Sequence, residues 1–489
     1  MKEIRFDFNN MFCSSVGEEH GVGENDILEI SDDIKNAYTH LSKIIKDSLA
    51  RVRLGLEWAN LPIQDKKTIL QIKRLGKEIV RKYENVIFLG IGGSYLGLKA
   101  AQDAFSSPYH NEFSSLRKAM PRVYFEGNNL DPDTLKALLK SLKPKKTFIV
   151  VISKSGETTE TKAGFMVVES WLKYSVGKNY GRHIFAITDP ESGSLRKRVN
   201  EEEKKDKLSF RSLPLLKGVG GRFSEFNMGL LHLAIIGVDI EEVLKGARAM
   251  LDRCLSEDLF KNPASMYAAL HTILYRKKKK DISVIMPFCE TLKSTGDWYV
   301  QLLAESLGKK YARKIEVDKG GIEKWAMDTN AIINVGRTPM SFRGTNDLHS
   351  IQQNNIEGEN NKVVTFIKVE KFKGEVRIPK GEDLLSGRYF SELIKLAQEG
   401  TEWALVGEKR PNCTIIMPEV SPYNWGGLLF FFEMATVFEG ELLNVNAFDQ
   451  PGVEGYKNYM YYKLGKEVPI EAANKIKNNP LVKDQKLIL

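Results

Sequence analysis

The stretch TFIVVISKSGETTET, Thr147 to Thr161, sets the reading of the whole chain. Its first six residues are apolar or β-branched without polar alternation, so both faces of the strand they form are buried. Strands of that kind lie in parallel sheets covered by helices. The run then breaks into Ser153, Lys154, Ser155, Gly156, Glu157, Thr158, Thr159 and Thr161, with five hydroxyls and one ammonium around a single glycine. Helix capping accounts for one or two hydroxyls at such a place. A phosphate, with three acceptor oxygens, accounts for all of them. In open α/β sheets ligands bind outside the carboxyl ends of the strands, which is where this loop falls.

Working outward, runs of the same kind recur at Val86–Ile91, His183–Thr188, Ile282–Met286, Val363–Ile367 and Thr414–Met417. Helical patterns separate them, among them Asp131–Leu142 and Gly381–Gly400, and Ile235–Leu274 reads as helical throughout. The strands fall into two groups, one before residue 200 and one from residue 281. The expected fold is α/β, with two αβα sandwiches and mostly parallel sheets. The first spans 43–240 and the second 281–450, with 1–42 and a helical 451–489 packing on them. The apolar Trp425–Phe438 carries Glu433 and is too short for a bilayer, so it reads as a buried helix.

Composition narrows the function. The chain has 489 residues and a formal net charge of +9, with 72 basic side chains interspersed among 63 acidic ones. The densest basic run, Arg276–Lys280, reads as a solvated helix end, and Asn200–Lys207 as a surface loop or frayed helix end. Without a basic tail or aromatic RNA signature, no nucleic-acid partner is expected. The N-terminus lacks the apolar core of a signal peptide and no membrane partner is expected, so the expected location is the cytoplasm. Four dispersed cysteines read as reduced thiols, and seven scattered histidines offer no metal-ligand spacing. Neither metal nor organic cofactor is expected.

Further segments suggest chemistry. After Val86–Ile91 come Gly92-Gly93-Ser94-Tyr95-Leu96-Gly97, where paired glycines let backbone N–H groups approach an anion and Ser94 adds a donor. The spacing is not GxGxxG, and on its own the segment is equally a structural strand-to-helix turn. Gly220-Gly221-Arg222 brings a guanidinium out of a tight backbone, where its planar donors suit a developing enolate oxygen. In Trp298–Ser306, helical spacing places Gln301 and Glu305 on one face, with Trp298, Leu302 and Leu303 to anchor them. A carboxylate held in this way suits a general base. Taken alone, Arg222 and Glu305 could each be ordinary surface residues.

SKSGETTET resembles the phosphosugar-binding loop of sugar isomerase (SIS) domains. With the Gly92–Gly97, Arg222 and Glu305 blocks, and with Gly344–Gln352 (GTNDLHSIQ) and Phe448–Lys457 (FDQPGVEGYK), the chain resembles the phosphoglucose isomerase family, in its bacterial form, from Val86 to Lys457. The resemblance implies two SIS-like domains and reversible isomerisation of glucose 6-phosphate to fructose 6-phosphate through an enediolate. It implies that Gly93, Ser94, Ser153, Lys154, Ser155 and Thr158 bind the sugar phosphate, with Gln301 and Gln450 orienting its hydroxyls. Glu305 would move the proton, Arg222 stabilise the intermediate, and His349 and Lys457 open the ring. It also implies a homodimer whose sites borrow the histidine across the interface. Glu157 is expected to point to solvent. Glu225-Phe226-Asn227 departs from the apolar sequence usual in the family, and Leu307–Arg343 and the residues before Lys43 match no pattern. Rival readings are an isomerase that also takes mannose 6-phosphate, a ketose phosphate–glucosamine isomerase, and a non-catalytic phosphosugar sensor.

Overall fold

The structure, a computed structural model, describes residues 3–489. Twelve strands occur among them. The first six are β1 (Arg5–Asp7), β2 (Asn85–Leu89), β3 (Arg122–Glu126), β4 (Thr147–Ile152), β5 (Ile184–Thr188) and β6 (Arg211–Pro214). They are followed by β7 (Ile282–Pro287), β8 (Lys309–Val317), β9 (Glu323–Val335), β10 (Thr338–Ser341), β11 (Lys362–Lys371) and β12 (Asn412–Glu419). One sheet has the order β3-β2-β4-β5-β6, all parallel. The other runs β1-β12-β11-β7-β10, parallel except for β1 at its edge. The expected α/β class with mostly parallel sheets is what forms.

The strands read from sequence are the central ones. Residues of β2, β4 and β5 are buried along their whole length, so they had to be continuously apolar. The strands not anticipated are β1, β3, β6 and β10, whose half-exposed sequences RFD, RVYFE, RSLP and TPMS show no such run. All four lie at sheet edges, where only one neighbour covers them.

Leu307–Arg343, unassigned from sequence, is mainly a long antiparallel hairpin of β8 and β9. Its largely polar, exposed strands offered no core signal. The hairpin is pinned where it meets the body. Arg313 pairs with Glu441, its guanidinium lies 4.2 Å from the Trp325 ring, and the His40 ring bridges Glu441 (2.7 Å) and Glu323 (2.8 Å).

Trp425–Phe438 is buried as expected, inside a Pro422–Leu442 helix that packs against the Ile240–Cys254 and Pro263–Lys278 helices. Two other readings need correction, and a third is narrowed. Lys280 is not solvated: it is 1 % exposed and donates to Asn360 Oδ1 at 2.8 Å, with burial lowering its pKa to about 8. Of the two readings of Asn200–Lys207, the helix end is the one that forms, closing a Ser194–Lys205 helix that buries Glu202 against Arg198 and Lys205. The helix expected over Gly381–Gly400 runs instead from Phe390 to Gly407, because the preceding segment folds back in an Arg377–Tyr389 bridge. Among the described residues, no helix is long and apolar enough to cross a membrane.

Candidate active site

Glu305 lies in the last turn of the Lys293–Leu307 helix. Trp298, Leu302, Leu303 and Leu307 bury the opposite face, each contributing roughly 1.5–3 kcal/mol of apolar burial. That anchoring turns Gln301 and Glu305 toward one spot, and Gln301 Nε2 donates to Glu305 Oε1 at 3.2 Å. The Glu305 side chain is 31 % exposed. It is therefore held and still reachable.

Its other oxygen meets Arg222, from the short turn Gly221–Phe223. Arg222 is not a surface arginine: it is 4 % exposed, and all three of its nitrogens donate. Nη1 reaches Glu305 Oε2 at 3.1 Å and Gln450 Oε1 at 3.0 Å. Nη2 reaches the carbonyls of Ala447 at 2.7 Å, Asp449 at 3.0 Å and Glu305 at 3.4 Å, and Nε reaches Ser306 Oγ at 2.8 Å. Burial lowers its pKa, while Glu305 and Asp449 pull the other way. Phe223 stacks on Trp58 at 4.9 Å and packs against Phe448 at 5.4 Å, which fixes the turn.

The paired glycines join this cluster to the glycine- and hydroxyl-rich loops. Gly92 has φ +57°, a conformation other residues resist, and a Cβ there would lie 2.9 Å from Gln301 Nε2. A Cβ on Gly93 would overlap the Gly221 carbonyl. The Gly92–Ser94 turn thus sits against both the Glu305 helix and the Arg222 turn. It leaves the same sheet edge as the Ser153–Thr158 loop, since β2 and β4 are parallel neighbours.

That second loop is preshaped by its own hydroxyls. Ser153 Oγ accepts from Gly156 N at 3.0 Å, Ser155 Oγ from Glu157 N at 3.1 Å, and Thr158 is the N-cap of the Thr159–Val176 helix. Lys154 and Ser155 are exposed. A helix N-terminus beside an ammonium and free hydroxyls is an anion site. Glu157 does not simply face solvent: it pairs with Lys162 and Lys466, and its carbonyl accepts from Tyr461 Oη at 2.8 Å. The Glu454–Lys463 helix is thereby tied to the loop.

That helix carries Lys457, which donates to Glu454 Oε1 at 2.9 Å. Burial lowers its pKa, but Glu454 outweighs this and raises it. Within this chain Lys457 makes no hydrogen bond to Glu305. His349 is not brought to the cluster either. It is exposed on the Asn346–His349 turn, and no hydrogen bond joins it to Glu305, Arg222 or Lys457.

Sequence reasoning missed Ser306, Lys309 and the carbonyls of Ala447 and Asp449. Lys309 lies four residues past Glu305 and was legible only as the start of an unassigned stretch. It also missed a buried acidic pair behind the Glu305 helix. Trp298 Nε1 donates to Glu225 Oε1 at 2.8 Å, and burial pushes the Glu225 pKa up to about 7. Burial and the Glu225 charge together raise Glu433 well above the ordinary carboxylate range. Glu225 was visible only as a departure from an apolar pattern.

Two mostly parallel sheets with a hydroxyl-rich loop, and a glutamate held between a guanidinium and an amide, place the chain in the class of α/β sugar isomerases. The comparisons narrow this. A profile described as phosphoglucose isomerase matches residues 73–478. The glucose-6-phosphate isomerase of Carboxydothermus hydrogenoformans is 38% identical over 95% of each chain. That of Acetivibrio thermocellus is 32% identical over 95% of this chain and 97% of its own. Among solved structures, a hypothetical protein of Thermus thermophilus superposes with TM-score 0.77 at 32% identity, covering 94% of this chain and 99% of its own. A glucose-6-phosphate isomerase of Chlamydia trachomatis gives TM-score 0.72 at 21% identity over 96% of this chain and 95% of its own, a likeness of fold. The chain belongs to the phosphoglucose isomerase family.

Proposed function

We infer that the chain interconverts glucose 6-phosphate and fructose 6-phosphate, and that Glu305 carries the migrating proton. The observation behind this reading is the Glu305 carboxylate held by Arg222 on one oxygen and Gln301 on the other. The phosphate sits on Ser94 and the Ser153–Thr158 loop, with Gly93 allowing close backbone approach. His349 and Lys457 open the hexose ring, one group protonating the ring oxygen as the other takes the proton of the anomeric hydroxyl. Glu305 then removes the proton from C2 of the aldehyde form. The electron pair moves into a C1–C2 double bond, and the carbonyl oxygen takes up negative charge that Arg222 stabilises. Glu305 returns its proton to C1 while the proton of the C2 hydroxyl passes to the C1 oxygen, so that the C2 oxygen becomes the carbonyl. Gln301 and Gln450 orient the hydroxyls. Every electron and proton is accounted for, so the scheme calls on no cofactor.

A homodimer is part of the proposal. His349 is exposed and unconnected to Glu305 within one chain, as expected of a residue supplied to a second copy's site. The cytoplasm, where sugar phosphates are found, is the proposed location. The test is a coupled assay with fructose 6-phosphate. Formation of glucose 6-phosphate by wild type and its loss in Glu305→Gln supports the reading; equal turnover by both removes it.

A further inference from the structure

The helix that presents Glu305 ends two residues later, so the Glu305 carbonyl has no intrahelical donor in its last turn. Lys309 fills that place from the first residue of β8. Its Nζ donates to the Glu305 carbonyl at 2.6 Å and the Asp449 carbonyl at 2.7 Å, and lies 3.3 Å from Asp449 Oδ1. Two of its three N–H bonds are thereby taken by carbonyls, and the ammonium faces the Asp449 carboxylate as an ion pair. The side chain is 5 % exposed, which keeps it out of a substrate's reach.

We propose that Lys309 is a positioning residue for the isomerisation, its ammonium clamping the Glu305 end of the helix to the loop that carries Gln450. This rests on the reading of Glu305 as the base. Arg222 donates to the same two carbonyls, but at 3.4 and 3.0 Å. Without Lys309, the Glu305 carbonyl at the negative end of its helix and the Asp449 carbonyl on the loop have only those longer contacts. The guanidinium is then drawn toward them and away from Glu305 Oε2 and Gln450 Oε1, the atoms it must hold for proton transfer. Lys309 makes no contact with the Ser94 or Ser153–Thr158 loops, so the effect falls on turnover rather than phosphate binding.

The charged groups around the ammonium are Glu305 on the helix, Asp449 on the loop and Arg222 on its turn; its β9 partner, Val335, does not titrate. Burial lowers the Lys309 pKa to about 8, with Asp449 raising it and Arg222 lowering it further. Loss of that proton removes the charge and one N–H bond, which weakens the clamp, so turnover falls as pH rises through that value.

The experiment compares Lys309→Met, Lys309→Arg and Glu305→Gln in the coupled fructose 6-phosphate assay across pH. Lys309→Met is expected to lower kcat roughly 10- to 100-fold, as a misplaced catalytic group does, with KM changed by less than about threefold. Lys309→Arg is expected to restore part of kcat and to move the alkaline fall upward, because arginine keeps its charge. Wild-type kcat in the methionine variant, or an unmoved alkaline fall in the arginine variant, overturns the proposal. If the methionine variant does not fold, the arginine pH profile decides alone. A fully active Glu305→Gln would instead sink the reading of the base, and an inactive one alongside wild-type-like Lys309 variants would sink only the clamp.

Discussion

Arg222→Lys isolates the geometry of the guanidinium from its charge. Arg222 donates six hydrogen bonds, to Ser306 Oγ, Glu305 Oε2, Gln450 Oε1 and three carbonyls. Lys309 already serves the carbonyls of Glu305 and Asp449. A lysine at position 222 is then left with four acceptors and three N–H bonds on a shorter, unbranched head. At least one of the four acceptors loses its donor, which costs up to about 1–3 kcal/mol of stability where that acceptor is buried. The larger consequence is for the intermediate. Removing a preorganised donor from developing oxyanion charge lowers kcat by roughly 10²- to 10³-fold. A coupled assay in both directions, with thermal unfolding of the same samples, reads both effects. The expected result is a large loss of kcat, little change in KM, and a modest drop in Tm. If Arg222→Lys turns over within about threefold of wild type, a point charge suffices and the forked-donor account is refuted.

Gly93→Ala should lower Tm, with an overpacking penalty of about 1–3 kcal/mol, because the new methyl meets the Gly221 carbonyl. It should also raise KM for fructose 6-phosphate, and wild-type values for both would show that the turns are not in contact. Glu433→Gln probes the buried acidic pair. An acid whose folded pKa is raised makes the protein lose stability as pH climbs from the unfolded value through the folded one, here from 4.5 through about 7 for Glu225. Because Glu433 is raised well above the ordinary carboxylate range, its neutral replacement should raise Tm at about pH 8 and change it little near pH 4.5. A variant less stable than wild type at the higher pH contradicts this. His40 has the opposite sign. Burial lowers its pKa, but Glu441 and Glu323 outweigh burial and raise it, so its contribution is full below about 6.5 and is lost as pH rises through the folded value. His40→Asn should therefore lower Tm more at about pH 6 than at pH 9, and an equal loss at both would show that the His40 charge does not anchor the hairpin.

What the sequence disclosed follows burial. β2, β4 and β5, covered on both faces, had to be apolar throughout, and loops rich in glycine or hydroxyls had to follow two of them. Their reading needed no neighbours in space. β3 and β10, half-covered at sheet edges, and the polar β8–β9 hairpin are fixed by pairing that no local pattern displays. The same holds in the site. Glu305 and Gln301 share a helix face and were visible as a pair. Arg222 was visible for its glycines but not for its burial, which comes from residues 447–450, over two hundred positions away. Lys309 acts through backbone carbonyls of two distant segments, so its residue type gave no sign of its place. Lys280 misled for the same reason: it is a charged residue whose partner arrives from another part of the chain.

The central claim is that one carboxylate lifts a proton from C2 and returns it to C1, and exchange with solvent follows that proton directly. In deuterium oxide, wild type incubated with fructose 6-phosphate should place deuterium on C2 of glucose 6-phosphate and wash it into C1 of the ketose, as seen by NMR. Glu305→Gln should leave both carbons protonated over the same time. Deuterium entering at the wild-type rate in that variant would mean another group carries the proton, and the account of the site would be wrong.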